Sequence, residues 1–381
     1  MSNPRIVIIA ESYLPGIRGG GPVRSLQSLI HHCRNQYDFY LLCPDRDFGD
    51  TAPYPGVKTN TWLSQDGHKI MYVKRSNISL RALWRLLDSL HPDSLYINVL
   101  FSIRMGIIPM GLSRVLFRNT RTVVAPRGCL DPGALDIKHR KKNAFLFLLK
   151  LSRLPRHVVW HATNPAEAKY IQSLFGPVEC LVAANLTIEP PDVSRDPVVK
   201  SSGHIKLLFL SRISKKKNLP FLLSLLPKLS GVIELTVAGP IEDPALWRKA
   251  ERIIAAFPSN IVVSYIGMIS HDDVPSVIHN HHVLVLPTLG ENFGHVIAES
   301  LRAGRGVIVS DTTPWRNLAD WGAGWDIALD DVESWCAVLQ SVCNMDQNAF
   351  QIMCDQARMA YEGMYDDGAA VSASQRLFGN P

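Results

Sequence analysis

The chain has 381 residues, enough for two domains of ordinary size, and its 46% hydrophobic and 19% charged content excludes wholesale disorder. No stretch reaches the roughly 18 uncharged apolar residues that a membrane-spanning helix needs. The net charge of +6 is unevenly spread: residues 1–190 hold 24 Lys and Arg against 13 Asp and Glu, while residues 191–381 hold 16 against 21. That split suits two domains with different partners, or ordinary solvated charge. Seven cysteines with no C-x-x-C pair argue against a disulfide framework or structural zinc, and for a reducing cytoplasm. The short apolar run Ile6–Ala10 lacks a secretory pattern and reads as a buried strand.

In chain order, a strand is predicted at 5–10, a loop at 11–21 and a helix from Pro22 to about Arg34. A strand follows at 38–43. Residues 44–69, rich in Pro, Gly and Asp, read as an irregular insertion. Strands at 70–73 and 94–99 flank a helix at 79–90. Strands at 121–125 and 157–161 flank a helix at 134–154. Residues 185–203 carry three prolines and no period, and read as a linker. The alternation restarts with strands at 205–210, 232–238, 261–266, 282–287, 306–310 and 325–328. Helices are expected near 218–229, 243–257, 271–280, 294–303 and 331–343, and two more in the tail 346–379. The predicted domains are 1–184, the linker 185–203, 204–360, and a C-terminal helix 361–381 packing back on the first domain. Two successive α/β units predict two Rossmann-like doubly wound domains facing across a cleft, with ligands at the carboxyl ends of the strands.

Three strand-to-helix loops carry chemistry. The strongest runs from Pro287 to Gly304, with Glu291 and Glu299 eight residues apart around Asn292-Phe293-Gly294-His295. The first amides of the helix that opens there suit a diphosphate. Glu299 lies too far along to cap the helix and suits a cis-diol such as ribose. Glu291 suits sugar hydroxyls or positive charge developing at a sugar carbon. A plain alternative is one capping and one solvated glutamate. The second loop, Ser211 to Asn218, places Arg212 and Lys217 five apart after a strand. A guanidinium fork and a mobile ammonium suit a diphosphate, or simply a solubilising turn. The third, Gly19-Gly20-Gly21, lets backbone approach a ligand closely. No G-x-G-x-x-G accompanies it, which counts against a nicotinamide cofactor.

Together these loops resemble the retaining nucleotide-sugar glycosyltransferases of family 4, of the bacterial surface-polysaccharide type, with the GT-B fold. The resemblance covers essentially the whole chain. It implies that Glu299 binds ribose and that Glu291 meets the donor sugar. Arg212 and Lys217 would stabilise the leaving diphosphate, and Asn292, Phe293, Gly294 and His295 would line the donor site. Gly20 and Gly21 would close over the donor, and Gly267 would lie by the nucleobase. Many members place a histidine after the late first-domain strand, where this chain has Pro126-Arg127-Gly128. Arg127 and Gly128 then stand as acceptor or sugar contacts, or Arg127 pairs with an acidic residue. His161 reads as structural. The resemblance implies transfer from a UDP-, GDP- or other nucleotide-sugar, with no cofactor and no metal. The acceptor would be a lipid-linked glycan or oligosaccharide in O-antigen, capsule or exopolysaccharide synthesis. A nucleotide-sugar 2-epimerase and a degenerate transferase acting as a binding partner are the alternatives. No nucleic acid partner is expected.

Two patterns are discounted. Asp45-Arg46-Asp47 matches a metal-binding D-x-D but lies in an early insertion. His279, His281 and His282 have no sulfur or carboxylate partner at ligand spacing. The apolar helix after Lys138-His139-Arg140-Lys141-Lys142 suits either an anionic membrane surface or a core position with basic flanks. The expected location is the cytoplasm, including peripherally the inner membrane face.

Overall fold

The computed structural model describes residues 3–16, 18–131, 135, 139–188 and 198–379. It divides into unit 1, Met1–Ile188 with Asp367–Pro381, and unit 2, Glu189–Asp366. Unit 1 runs β1 (Arg5–Ala10), α1 (Gly21–Cys33), β2 (Asp38–Pro44), β3 (Trp62–Gln65), β4 (His68–Val73), α2 (Leu80–Leu90), β5 (Ser94–Asn98), α3 (Ile108–Leu116), β6 (Arg121–Val124), α4 (His139–Leu151), β7 (Val159–Ala162), α5 (Pro165–Phe175) and β8 (Cys180–Val182). Unit 2 runs β9 (His204–Leu210), α6 (Leu219–Leu225), β10 (Val232–Ala238), α7 (Pro244–Ile254), β11 (Ile261–Tyr265), α8 (Val274–His279), β12 (Val283–Leu286), α9 (His295–Arg302), β13 (Gly306–Ser310), β14 (Gly324–Ile327), α10 (Val332–Asn344) and α11 (Gln347–Met364). Helix α12 (Asp367–Leu377) returns to unit 1.

The first sheet has the order β3-β4-β2-β1-β5-β6-β7-β8, with β3 alone antiparallel to its neighbour. The second is β11-β10-β9-β12-β13-β14, parallel throughout. Strands covered on both faces need unbroken apolar runs, and Ile6 to Ala10 are all fully buried. In each sheet the order reverses beside the first strand of the unit. The loops leaving β1 and β5, and those leaving β9 and β12, therefore diverge and leave a crevice at the strands' carboxyl ends.

The expected irregular insertion 44–69 contains a hairpin. Asp66 and Gly67 turn at φ 43° and 84° between β3 and β4, the two-residue Asp-Gly turn that twisted hairpins favour. Helices α3 and α5 and strand β8 lie where no element was expected. The predicted helix 134–154 is described from His139 and stops at Leu151; Arg153 takes a left-handed φ of 59° and leads into a tight turn at Leu154–His157. Residues 134 and 136–138 of that prediction, and 189–197 of the linker, lie outside the described residues. After α12, the ring of Phe378 meets Tyr37, Phe39 and Tyr96, and its carbonyl accepts from Ser94 Oγ at 3.1 Å. Arg121 Nε donates to Leu377 O at 2.8 Å. The tail is thus held at the amino ends of β5 and β6, away from the loops that carry chemistry.

Candidate functional site

In unit 2, β12 pairs beside β9 at Val283–Leu207 and Leu284–Leu208. This brings the loop after β9 against the loop after β12. Leu289 N donates to Lys216 O at 2.7 Å, and Thr288 Oγ1 donates to the same carbonyl at 3.1 Å. The carbonyl of Thr288 accepts from Ser310 Oγ at 2.5 Å and Thr312 Oγ1 at 2.8 Å, which ties in the loop after β13. On the other side, Gly239 N donates to Gly267 O at 2.7 Å, so Gly267 sits at the carboxyl edge of β11 with φ 76°. A Cβ on Gly239 would collide with the Ser211 carbonyl, so glycine lets the loops after β9 and β10 touch.

The seam concentrates charge. Lys217 Nζ pairs with a Glu291 carboxylate oxygen, and both side chains are largely buried, at 13% and 14% exposure. Arg212 pairs with Glu242 from the loop after β10, in a more exposed position. Burial, then the nearby Arg212 and Lys216, push the Lys217 ammonium down to about 7, against the pull of Glu242. The ion pair with Glu291 also favours the charged form. An ammonium that loses its proton as pH rises through neutrality holds an anion only on the acid side. The affinity of wild-type protein for a nucleoside diphosphate should therefore fall by up to about tenfold per pH unit above that point. Lys217→Arg should flatten the profile, since a guanidinium stays charged. Titration calorimetry across the range checks this.

Helix α9 starts after Gly294, which takes φ 81° and has no side chain of its own to cap the first turn. A Cβ on Gly294 would stand 2.8 Å from Ile297 Cδ1. Ile297, Ala298 and Leu301 are buried, which fixes the helix against the sheet and leaves Glu299 on a half-buried face in its second turn. Phe293 is buried among Trp315, Tyr365 and His295, and its carbonyl accepts from Trp315 Nε1 at 2.6 Å. This residue anchors the helix entrance. Asn292 and His295 flank it, half-buried. Glu242 and Trp315 were not anticipated; one is a surface acid and the other a loop aromatic, and neither stands in a motif.

In unit 1, Gly20 takes φ 57° just before α1, and Gly21 is the helix's first residue. The glycine-rich loop is held by the loop after β2: Asp47 accepts from Arg18 N and Phe48 N, each at 2.9 Å. Asp45 pairs with Arg46 at 2.8 Å. The D-x-D carboxylates thus build a loop.

Arg127 takes φ 56° and Gly128 φ 73° in the turn after β6. Arg127 donates to Asn98 Oδ1 at 2.8 Å, to Tyr96 Oη at 2.7 Å and to Asn185 Oδ1, so among the described residues its fork meets amides and a phenol rather than a carboxylate. Gly128 N donates to Glu167 Oε1 at 2.6 Å. His161 Nε2 lies 2.8 Å from Ala183 O and must donate there, so Nδ1 accepts from Tyr96 Oη at 2.7 Å. Burial and the neighbouring Arg127 push His161 down to about 3, which keeps it neutral.

The three candidate histidines near β12 are also engaged. His282 Nδ1 accepts from Lys206 N at 2.9 Å, His281 lies between Val277 O and Thr236 Oγ1, and His279 meets Arg305.

Residues 192–352 match the family model described as glycosyl transferases group 1. The phosphatidyl-myo-inositol mannosyltransferase of Mycolicibacterium smegmatis is 29% identical over 147 residues, which is 37% of this chain and 36% of that protein. The match thus spans little more than a third of that relative's length. Sucrose-phosphate synthase from Thermosynechococcus elongatus superposes with a TM-score of 0.74 at 14% identity, covering 99% of this chain and 98% of that one. Anabaena Alr3699/HepE, solved in complex with UDP and glucose, gives 0.70 at 15% identity, covering 98% of each. At these identities the likeness shows the fold, which is GT-B. The family match and the relative support a glycosyltransferase.

Proposed function

We propose that the chain is a retaining glycosyltransferase of family 4, moving a sugar from a nucleotide diphosphate sugar to an acceptor hydroxyl without a divalent metal. The observation that carries this is the meeting of Lys217 and Glu291, 74 residues apart, at the β9–β12 switch point beside the start of α9. Arg212, Lys217 and the α9 amino end would hold the diphosphate and stabilise the charge it gains on leaving. The acceptor oxygen would bond to the anomeric carbon as the carbon–phosphate-oxygen bond breaks, and its proton would pass to the departing phosphate. Glu291 would hold sugar hydroxyls, Glu299 the ribose, and Gly267 would border the base. Gly20 and Gly21 would admit close backbone approach. HepE's complex with UDP and glucose supports a nucleotide-sugar donor. The relative named for phosphatidyl-myo-inositol supports a lipid-linked acceptor, here a glycan in bacterial polysaccharide synthesis at the inner membrane face.

A thermal-shift screen of UDP, GDP, ADP and their sugars tests the donor reading, followed by transfer assays after EDTA treatment. Glu299→Ala should weaken binding of the stabilising nucleotide by about 1–3 kcal/mol, the range for lost charged hydrogen bonds. No shift with any nucleotide would reject the reading. Loss of transfer in EDTA, restored only by a divalent ion, would reject metal independence. Sugar conversion without acceptor would identify an epimerase.

A further inference from the structure

One face of unit 1 joins bare apolar side chains to clustered cations. On α4, Leu146 and Leu149 are buried, while Phe147, Leu148 and Leu151 are 68%, 63% and 70% exposed. The turn at Arg153 folds the next residues back beside the helix end. A groove of about 350 Å³ results, with Phe147, Leu151 and Phe175 among its walls and Lys150, Arg153 and Arg156 around it. Arg114, from the end of α3, donates to Ser152 O at 3.1 Å and adds a fourth cation. Between Asp136 and Glu167 the sequence holds seven Lys and Arg and no acid.

We propose that this face binds the anionic surface of a phospholipid membrane. The exposed rings and leucines would enter the headgroup–acyl boundary, and a lipid phosphate would lie in the groove. Charge complementarity selects this occupant. A second copy docked across a two-fold axis would set the four cations against their own equivalents. A soluble anion would leave Phe147, Leu148 and Leu151 unexplained, whereas an interfacial helix uses both features at once. The proposal deepens the lipid-linked acceptor reading. Its assay contains neither donor nor acceptor, so its failure would leave the transferase reading standing.

The test is co-sedimentation of the full chain with vesicles of phosphatidylcholine, alone or mixed with phosphatidylglycerol, over a salt series. Wild type should bind the mixed vesicles at low salt and release as salt rises. Lys150→Gln/Arg153→Gln/Arg156→Gln should lower the partition coefficient on the order of 100-fold. Phe147→Ser/Leu148→Ser/Leu151→Ser should keep the salt-sensitive attraction and lose roughly tenfold or more of the binding. All these side chains are exposed, so both variants should melt like wild type and bind nucleotide equally. The proposal is overturned if wild type ignores the mixed vesicles or if either triple variant binds them as well as wild type does. It is also overturned if wild type is a dimer in size-exclusion chromatography that the apolar variant converts to monomer.

Discussion

Lys217→Met should lower kcat by about 10²–10³-fold and weaken binding of the free nucleoside diphosphate, which carries the fully developed charge, while raising the donor KM much less. A cation aimed at charge that develops on the leaving diphosphate acts mainly in the transition state, and removing one such donor typically costs that factor. The substitution also strands the largely buried Glu291 carboxylate, its ion-pair partner. Breaking a buried pair costs about 3–5 kcal/mol of stability, which could mimic a catalytic loss. The double variant Lys217→Met/Glu291→Gln separates the two effects. It should recover most of the lost melting temperature and none of the lost turnover. Glu242→Gln should act in the opposite sense on binding. It frees Arg212 from a carboxylate that competes with the donor, and nucleotide affinity should rise a few-fold. Near-wild-type turnover in Lys217→Met would mean that the diphosphate lies elsewhere.

How legible this site was in the sequence depends on whether its parts are local. The strands of unit 2 are continuous apolar runs, so β9, β10 and β13 fall within a residue of where hydrophobicity places them. The E-x7-E and basic loops were readable because each is contiguous. Their contact was not, because it follows from β12 lying beside β9, and strand order leaves no mark on local periodicity. Glu242 and Trp315 act through partners 30 and 22 residues away and look like ordinary surface and loop residues until the sheet aligns them. Other omissions were readable. The Asp66-Gly67 turn is a strong hairpin signal that the surrounding Pro and Gly obscured. Asn164 caps α5 by accepting from Glu167 N at 2.9 Å, with Pro165 in the first turn, an ordinary start signal.

Arg127→Met should destabilise unit 1 by about 3 kcal/mol, which lowers Tm by roughly 6–12 °C for a domain of this size. The side chain closes a directed chain. Its guanidinium donates to Tyr96 Oη, Tyr96 donates to His161 Nδ1, and His161 donates to Ala183 O. The same fork holds Asn98 at the end of β5 and Asn185 beyond β8. Four strand ends are thereby held in one arrangement around a residue in a strained left-handed turn. Methionine fills similar volume and leaves two amide oxygens and a phenol oxygen without their donor, in partly or fully buried positions. Tyr96→Phe should cost less, about 1–3 kcal/mol, since it leaves His161 Nδ1 and one guanidinium nitrogen unmet. Arg127→Lys distinguishes a stitching role from a substrate contact. A lone ammonium cannot span the fork, so lysine should recover little of the lost stability if stitching is the role. If Arg127 instead meets the sugar or acceptor as a charge, lysine should restore turnover, and Arg127→Met should melt like wild type while acceptor KM rises.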